Sequence, residues 1–129
     1  MPQAKIFGLK KTLDPIKEKL SEVIHEAVME ALNFPKEKRF HRFICLEKEA
    51  FFFPEDRTEK YIIIEFSLFE GRTVEAKKKL IQLLFSKINE QFKIETNDIE
   101  ITIFETPKHN WGIRGMPGDE LMLNYKVNI

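Results

Sequence analysis

Apolar positions alternate with polar ones in AKIFGL, residues 4–9, and Ala4 and Ile6 on one side of that alternation predict a first strand. The period then changes. Ile16, Leu20, Val23, Ile24, Ala27, Val28 and Ala31 recur at helical spacing, and Phe34-Pro35 stops the pattern just after Asn33. Asp14-Pro15 supplies the expected start, an N-cap followed by Pro at the first helical position. Residues 39–47, RFHRFICLE, are rich in aromatic and β-compatible side chains and predict a second strand. The first unit therefore reads β-α-β.

Residues 48–60, KEAFFFPEDRTEK, set three consecutive Phe against Pro54 and charges, which suggests a short strand or hairpin arm ending in a turn. YIIIEFSLF, from Tyr61, is nearly continuous and β-branched, as a strand covered on both faces is. Gly71 then permits a tight turn and Thr73 a cap. Ala76, Leu80, Leu83, Leu84, Ile88 and Phe92 trace a second amphipathic helix. DIEITIFE, residues 98–105, closes a second β-α-β unit. Leu9 and Phe69, and Leu20 and Leu80, fall at equivalent places, so a repeat of about sixty residues is visible in the pattern alone.

Parallel strands joined by a helix need a crossover, normally right-handed, so both units lay their helices on the same face of one mixed sheet. The expected class is α+β: two tandem β-α-β units sharing one sheet, two helices on one face, and a C-terminal hairpin or strand. The whole chain, 1–129, is expected to be a single domain, with repeats over about 2–49 and about 61–106 and a tail over 107–129. No helix is left for the opposite sheet face, which predicts a symmetric oligomer. In the tail, PKHNWGIRGMPGDE is turn-rich, and LMLNYKVNI alternates as a final strand that completes a neighbour's sheet.

Composition narrows the partners. Lys plus Arg number 21 and Asp plus Glu number 21, so no global field favours nucleic acid or an anionic membrane. The lone Cys45 lies in an apolar run, has no partner for an internal disulfide, and suggests packing in a reducing, cytoplasmic setting. No Cys/His spacing resembles a metal site, and no apolar run is long enough to span a membrane. At the other end, Pro2 follows Met1 directly. Removal of Met1 is expected before a small residue, and Pro2 then becomes a secondary amine able to act as a general base.

Pro2, the repeat, LFEGRT at residues 68–73 and the HNWGIRG loop at 109–115 together resemble the tautomerase superfamily, whose members use an amino-terminal proline. The second half is similar to a whole subunit of the short 4-oxalocrotonate tautomerase type. The full length is similar to the malonate semialdehyde decarboxylase and cis-3-chloroacrylic acid dehalogenase branches. The resemblance implies the MIF-like tautomerase fold, a homotrimer, no cofactor, no metal and a small carboxylate substrate. It implies an isomerase interconverting enol and keto forms of small 2-oxo or 2-hydroxydienoate acids, with Pro2 as the proton shuttle. Arg72 matches an arginine that binds substrate carboxylate or carbonyl, Trp111 an aromatic lining the pocket, and His25 a histidine of both longer branches.

Two departures separate the chain from the decarboxylase-like pattern. Lys38 stands where that pattern carries an Asp, and Glu70 where it carries a further Arg. A decarboxylase or hydratase, and a noncatalytic oligomeric binding protein, are the alternatives. The residues themselves leave several roles open. Arg72 also reads as a helix-start arginine pairing with Glu70 or Glu75 on the surface. Arg39, His41 and Arg42 crowd one strand, with Arg39 and His41 on one face and Arg42 on the other; one of them is the candidate second cation, Arg39 foremost. His25 shares a helix face with Ser21 and Met29 and also reads as a half-buried structural histidine. Arg114 either reaches the pocket or clamps its loop to Asp119 or Glu120.

Overall fold

The computed structural model describes residues 2–121, so the strand expected in LMLNYKVNI lies outside the described residues beyond Leu121. Strand β1 (Gln3–Leu9) leads into a single helical turn, α1 (Lys10–Leu13), and then α2 (Lys17–Leu32) and β2 (Phe40–Leu46). The second unit runs β3 (Ile62–Phe69), α3 (Val74–Phe92) and β4 (Ile99–Thr106), followed by a two-residue ladder, β5 (Gly112–Ile113) with β6 (Met116–Pro117). The main sheet has the order β2-β1-β3-β4. β1 is parallel to β2 and β3 to β4, while β1 and β3 run antiparallel at the centre. This is the mixed α+β architecture that the hydrophobic pattern predicts.

The repeat is closer than the sequence pattern alone discloses. Gln3 pairs with Phe40 and Ile62 with Ile99, an offset of 37 residues in both units. α2 ends on Asn33 at φ 51° and α3 on Lys93 at φ 56°, both left-handed and 60 residues apart. The 3-10 turns Lys48–Ala50 and Lys108–Asn110 keep the same spacing, and each is followed by an extended aromatic residue, Phe51 and Trp111. The antiparallel β1–β3 pair thus places corresponding features of the two units at opposite ends of the sheet.

One apolar cluster binds both helices to one sheet face. Ala4, Ile6, Ile62, Ile64, Phe66 and Leu68 point into it from the central strands, against Leu20, Ile24 and Val28 of α2 and Leu80, Leu84 and Ile88 of α3. Each of the Val, Leu, Ile and Phe side chains among them contributes roughly 1.5–3 kcal/mol by leaving water. Among the described residues no element covers the opposite face. Lys5 and Arg42 are exposed there, Phe40 is 40% and Phe104 51% exposed, and Ile63, Glu65 and Ser67 on β3 are half-buried. Among the described residues β3 is therefore covered on one face, not on both.

Local signals held at some ends and were overridden at others. Thr73 caps α3 as expected, its hydroxyl accepting from the Ala76 amide at 3.0 Å. Asp14 does not cap α2. The chain turns straight from β1 into α1 so that Leu13 is fully buried against Gly8, where an added Cβ would lie 2.9 Å from Leu13 Cδ1. Asp14 then falls at the C-terminal end of α1 and takes Lys17 at 3.2 Å, and α2 starts with no side-chain cap. The expected strand in 48–60 is also absent. After the 3-10 turn the segment is irregular, because Phe51 stacks on Tyr61 at 5.7 Å and Phe53 packs beside both. Side-chain stacking, not a ladder, fixes this arm. No helix among the described residues is long and apolar enough to cross a membrane.

Candidate active site

Pro2 is buried at the head of β1, one residue before Gln3, which Phe40 and Ser67 flank. At that end of the sheet β2 begins and β3 finishes, so the β2 entry and the turn after β3 converge on Pro2 by topology. Arg39 immediately precedes Phe40 and is exposed. Gly71, at φ 120°, adopts a conformation open to glycine and turns the chain after β3 into Thr73 and α3.

Arg72 lies in that turn with 5% exposure, which removes it from the surface position that a helix-start ion pair would occupy. Its Nη1 donates to the Leu32 carbonyl at 3.1 Å. Leu32 ends α2, where carbonyls lack helical partners and the macrodipole is negative, so a guanidinium is favoured there. Arg72 thereby ties the turn of the second unit to the helix end of the first.

Trp111 packs edge-on against Phe69, with ring centroids 4.8 Å apart. Its carbonyl accepts from the Gly118 amide at 2.7 Å, which closes the loop over the end of β3. Gly118 is required by space: an added Cβ would lie 2.6 Å from the Lys108 carbonyl and 3.2 Å from the Phe69 ring. Gly118→Ala therefore displaces the Trp111 loop and costs about 1–3 kcal/mol, which is read as a lower Tm and a shifted Trp111 fluorescence maximum. Trp111 is the chain's single Trp, so the emission reports this loop alone. Arg114 sits exposed at the hairpin tip at φ 55°.

His25 is buried on α2. Its Nε2 lies 2.8 Å from the Lys36 carbonyl, and since a carbonyl only accepts, Nε2 carries the proton. His25, Met29, Lys36 and Arg39 line one groove. Its neighbour is His41, with ring centroids 6.1 Å apart, and Ser21 Oγ lies 2.7 Å from His41 Nδ1. Burial, reinforced by His25 and Arg39, brings the His41 pKa down to about 4. His41 is thus neutral near pH 7 and drops out as a candidate cation, which leaves Arg39 at this end and Arg42 on the open face. The Ser21–His41 contact itself is invisible to periodicity, since it joins two elements; only the shared helix face of Ser21 and His25 hinted at it.

Cys45 packs against the core, and burial together with the neighbouring Asp14 carboxylate raises its thiol pKa, as suits packing and not nucleophilic attack. Among the described residues no group of three or more His, Cys, Asp or Glu side chains is arranged to hold a metal ion. By strand topology Pro2, Arg39, Arg72 and Trp111 follow or precede strand ends at the same end of the sheet, and His25 shares a groove with Arg39.

Known proteins share both the sequence and the fold. A family model described as "Tautomerase enzyme" matches residues 38–114. A probable tautomerase of Bacillus subtilis (strain 168), YusQ, is 30% identical over 99 residues, spanning 73% of this chain and 78% of that protein. A 2-hydroxymuconate tautomerase of Comamonas testosteroni is 33% identical over 54 residues, 42% of this chain and 86% of that one. Among solved structures, native fused 4-OT superposes with a TM-score of 0.81 at 20% identity, covering 92% of this chain and 98% of that chain. A malonate semialdehyde decarboxylase gives 0.77 at 16% identity, covering 88% and 92%. At such identities these two show a common fold, whereas the family model and the Bacillus relative establish kinship: the chain belongs to the tautomerase family.

Proposed function

We propose that the protein is a cofactor-independent tautomerase that interconverts enol and keto forms of small 2-oxo or 2-hydroxydienoate carboxylic acids, working in the cytoplasm as a homotrimer. Pro2, freed by removal of Met1, is the proton shuttle. The observation that carries this reading is the burial of Pro2 at the head of a central strand, where a frayed terminus would be exposed. Burial and nearby arginines both disfavour the charged amine, so the ring nitrogen is held ready to accept a proton.

In the ketonisation direction the neutral Pro2 nitrogen takes the enol hydroxyl proton, the electron pair closes the C=O bond, and the protonated amine hands that proton to carbon, ending neutral again. In reverse the Pro2 nitrogen takes the C–H proton and the enolate oxygen is stabilised by a cation. Arg72 and Arg39 are the candidates for that cation and for the substrate carboxylate, Trp111 walls the apolar part, and His25 and Arg114 border the approach. The tautomerase named for 2-hydroxymuconate and the trimeric fused 4-OT structures support this substrate class and this assembly. The partly apolar open sheet face, with Phe40 and Phe104 exposed, supports the trimer as well. Lys38 and Glu70 remove support from decarboxylation.

The test is ketonisation of phenylenolpyruvate and 2-hydroxymuconate, followed by ultraviolet absorbance, on protein whose intact mass shows Met1 absent. Turnover by the processed protein and none by protein retaining Met1 is the expected result, because an acylated Pro2 nitrogen is not a base. Equal turnover by both forms, or carbon dioxide release from a 3-oxo acid without ketonisation, overturns it.

A further inference from the structure

The 60-residue repeat gives the Pro2 end a counterpart at the opposite end of the sheet. There β3 begins, β1 and β2 finish, and Phe51 takes the place of Trp111. That counterpart is a cleft of about 600 Å³ lined by Leu9, Leu46, Phe51 and Phe53, with Lys11, Lys48 and Glu59 at its rim. Leu9 stands where Phe69 stands in the second unit, and Lys48 where Lys108 stands. The reactive positions are exchanged: Ile62, fully buried within the chain, corresponds to Pro2, and Thr12 to Arg72. The cleft keeps the wall of the Pro2 end without a chain-end nitrogen.

Its wall is preformed. Phe51, Phe53 and Tyr61 pack pairwise with centroids 5.4 to 5.7 Å apart, and the Arg57 guanidinium lies 5.5 Å from the Tyr61 ring. The arm is tied to the start of β4, since the Thr58 amide and hydroxyl both donate to the buried Asp98 carboxylate. At the rim Lys11 is paired with Glu59 at 2.6 Å, and Lys10 lies 4.0 Å from Asp14. Lys48 lines the cleft beside Glu47 and Glu49; it makes no salt bridge within 4.0 Å among the described residues, and its charge acts on Glu59 across the mouth. Apolar walls of this volume with a few polar groups at the mouth are the usual form of a small-molecule site.

We propose that this cleft is a second, noncatalytic binding site for a small aromatic or branched apolar carboxylate, its hydrocarbon between Leu9, Leu46, Phe51 and Phe53 and its carboxylate at Lys48. The ligand class rests on the tautomerase reading of the Pro2 end, whose wall this cleft repeats; the cleft and the repeat stand independently of it. The ligand resembles a substrate in shape and is not turned over.

The probe is 3-phenylpropionate, a carboxylate with no keto or enol form, titrated into Pro2→Ala protein and followed by amide chemical shifts. Saturable shifts at Leu9, Lys48, Phe51 and Phe53 are expected. Lys48→Ala and replacement of the acid by 3-phenylpropionamide should each weaken them about fivefold, the worth of one exposed charge pair. Leu46→Trp, which fills the cleft, should abolish them. Shifts confined to residues around Trp111, equal binding by Leu46→Trp protein, or intermolecular contacts showing the cleft already filled by a second copy overturn the proposal. Ketonisation by protein retaining Pro2, measured separately, reports on the Pro2 reading alone.

Discussion

Exchanging Pro2 for Ala lowers kcat/KM for enol-acid ketonisation by about a hundredfold or more, the lower end of what a positioned acid-base group supplies. Ala leaves a primary amine at the chain start, so a nitrogen remains near the site. What it loses is the ring, which fixes φ and limits the directions the nitrogen can face. The fold should be unaffected, because the Pro2 ring supplies no ladder hydrogen bond and the core beneath it is built by Ala4, Ile6 and Leu68. Circular dichroism and size-exclusion elution therefore stay unchanged while turnover falls. The pH-rate profile is the sharper readout: its ascending limb reports the Pro2 amine and moves with the new amine in the Ala variant. Unchanged kcat/KM with an unchanged limb would remove Pro2 from the chemistry.

Arg72 separates two consequences of one side chain. Its guanidinium donates to the Leu32 carbonyl, so any substitution there costs stability as well as whatever it does to substrate. Loss of activity in an Arg72 variant is therefore evidence for substrate contact only after correction for the folded fraction. Pro2 carries no such ambiguity, which makes it the better first test of the function.

The sequence made the element order legible because the repeat imposes one hydrophobic period twice: Leu20 and Leu80, and Leu9 and Phe69, announce the same scaffold. Phe34-Pro35 and Thr73 mark helix ends by chemistry that acts within one turn of chain, and the structure keeps both ends. Asp14 failed by the same local logic, since burying Leu13 is worth more than a capping hydrogen bond. Long-range contacts were out of reach. Arg72 meets a carbonyl 40 residues away, and Ser21 meets His41 across two elements, so neither partner is implied by spacing. Alternation did place Arg39 and His41 on one face, but it could not tell that packing under α2 would leave the imidazole uncharged.

That imidazole sets an acid limit on stability. In the unfolded chain His41 titrates near its ordinary value of 6.5, and in the fold at about 4. Between those values the unfolded state binds more protons than the native state, so stability falls as pH drops through the window. Above pH 6.5 the contribution is complete, and below about 4 both states are protonated and nothing further is lost. The difference is worth about 3 kcal/mol across the window, a steep loss for a domain of this size. Ser21 on α2 contacts the ring, and His25 on α2 and Arg39 at the head of β2 add to the burial that disfavours its charge. His41→Asn puts an amide nitrogen or oxygen near the Nδ1 position and removes the titration. Urea midpoints measured from pH 7 to pH 4 should therefore fall more steeply in the native sequence than in His41→Asn. Parallel curves over that window would mean that His41 titrates alike in both states.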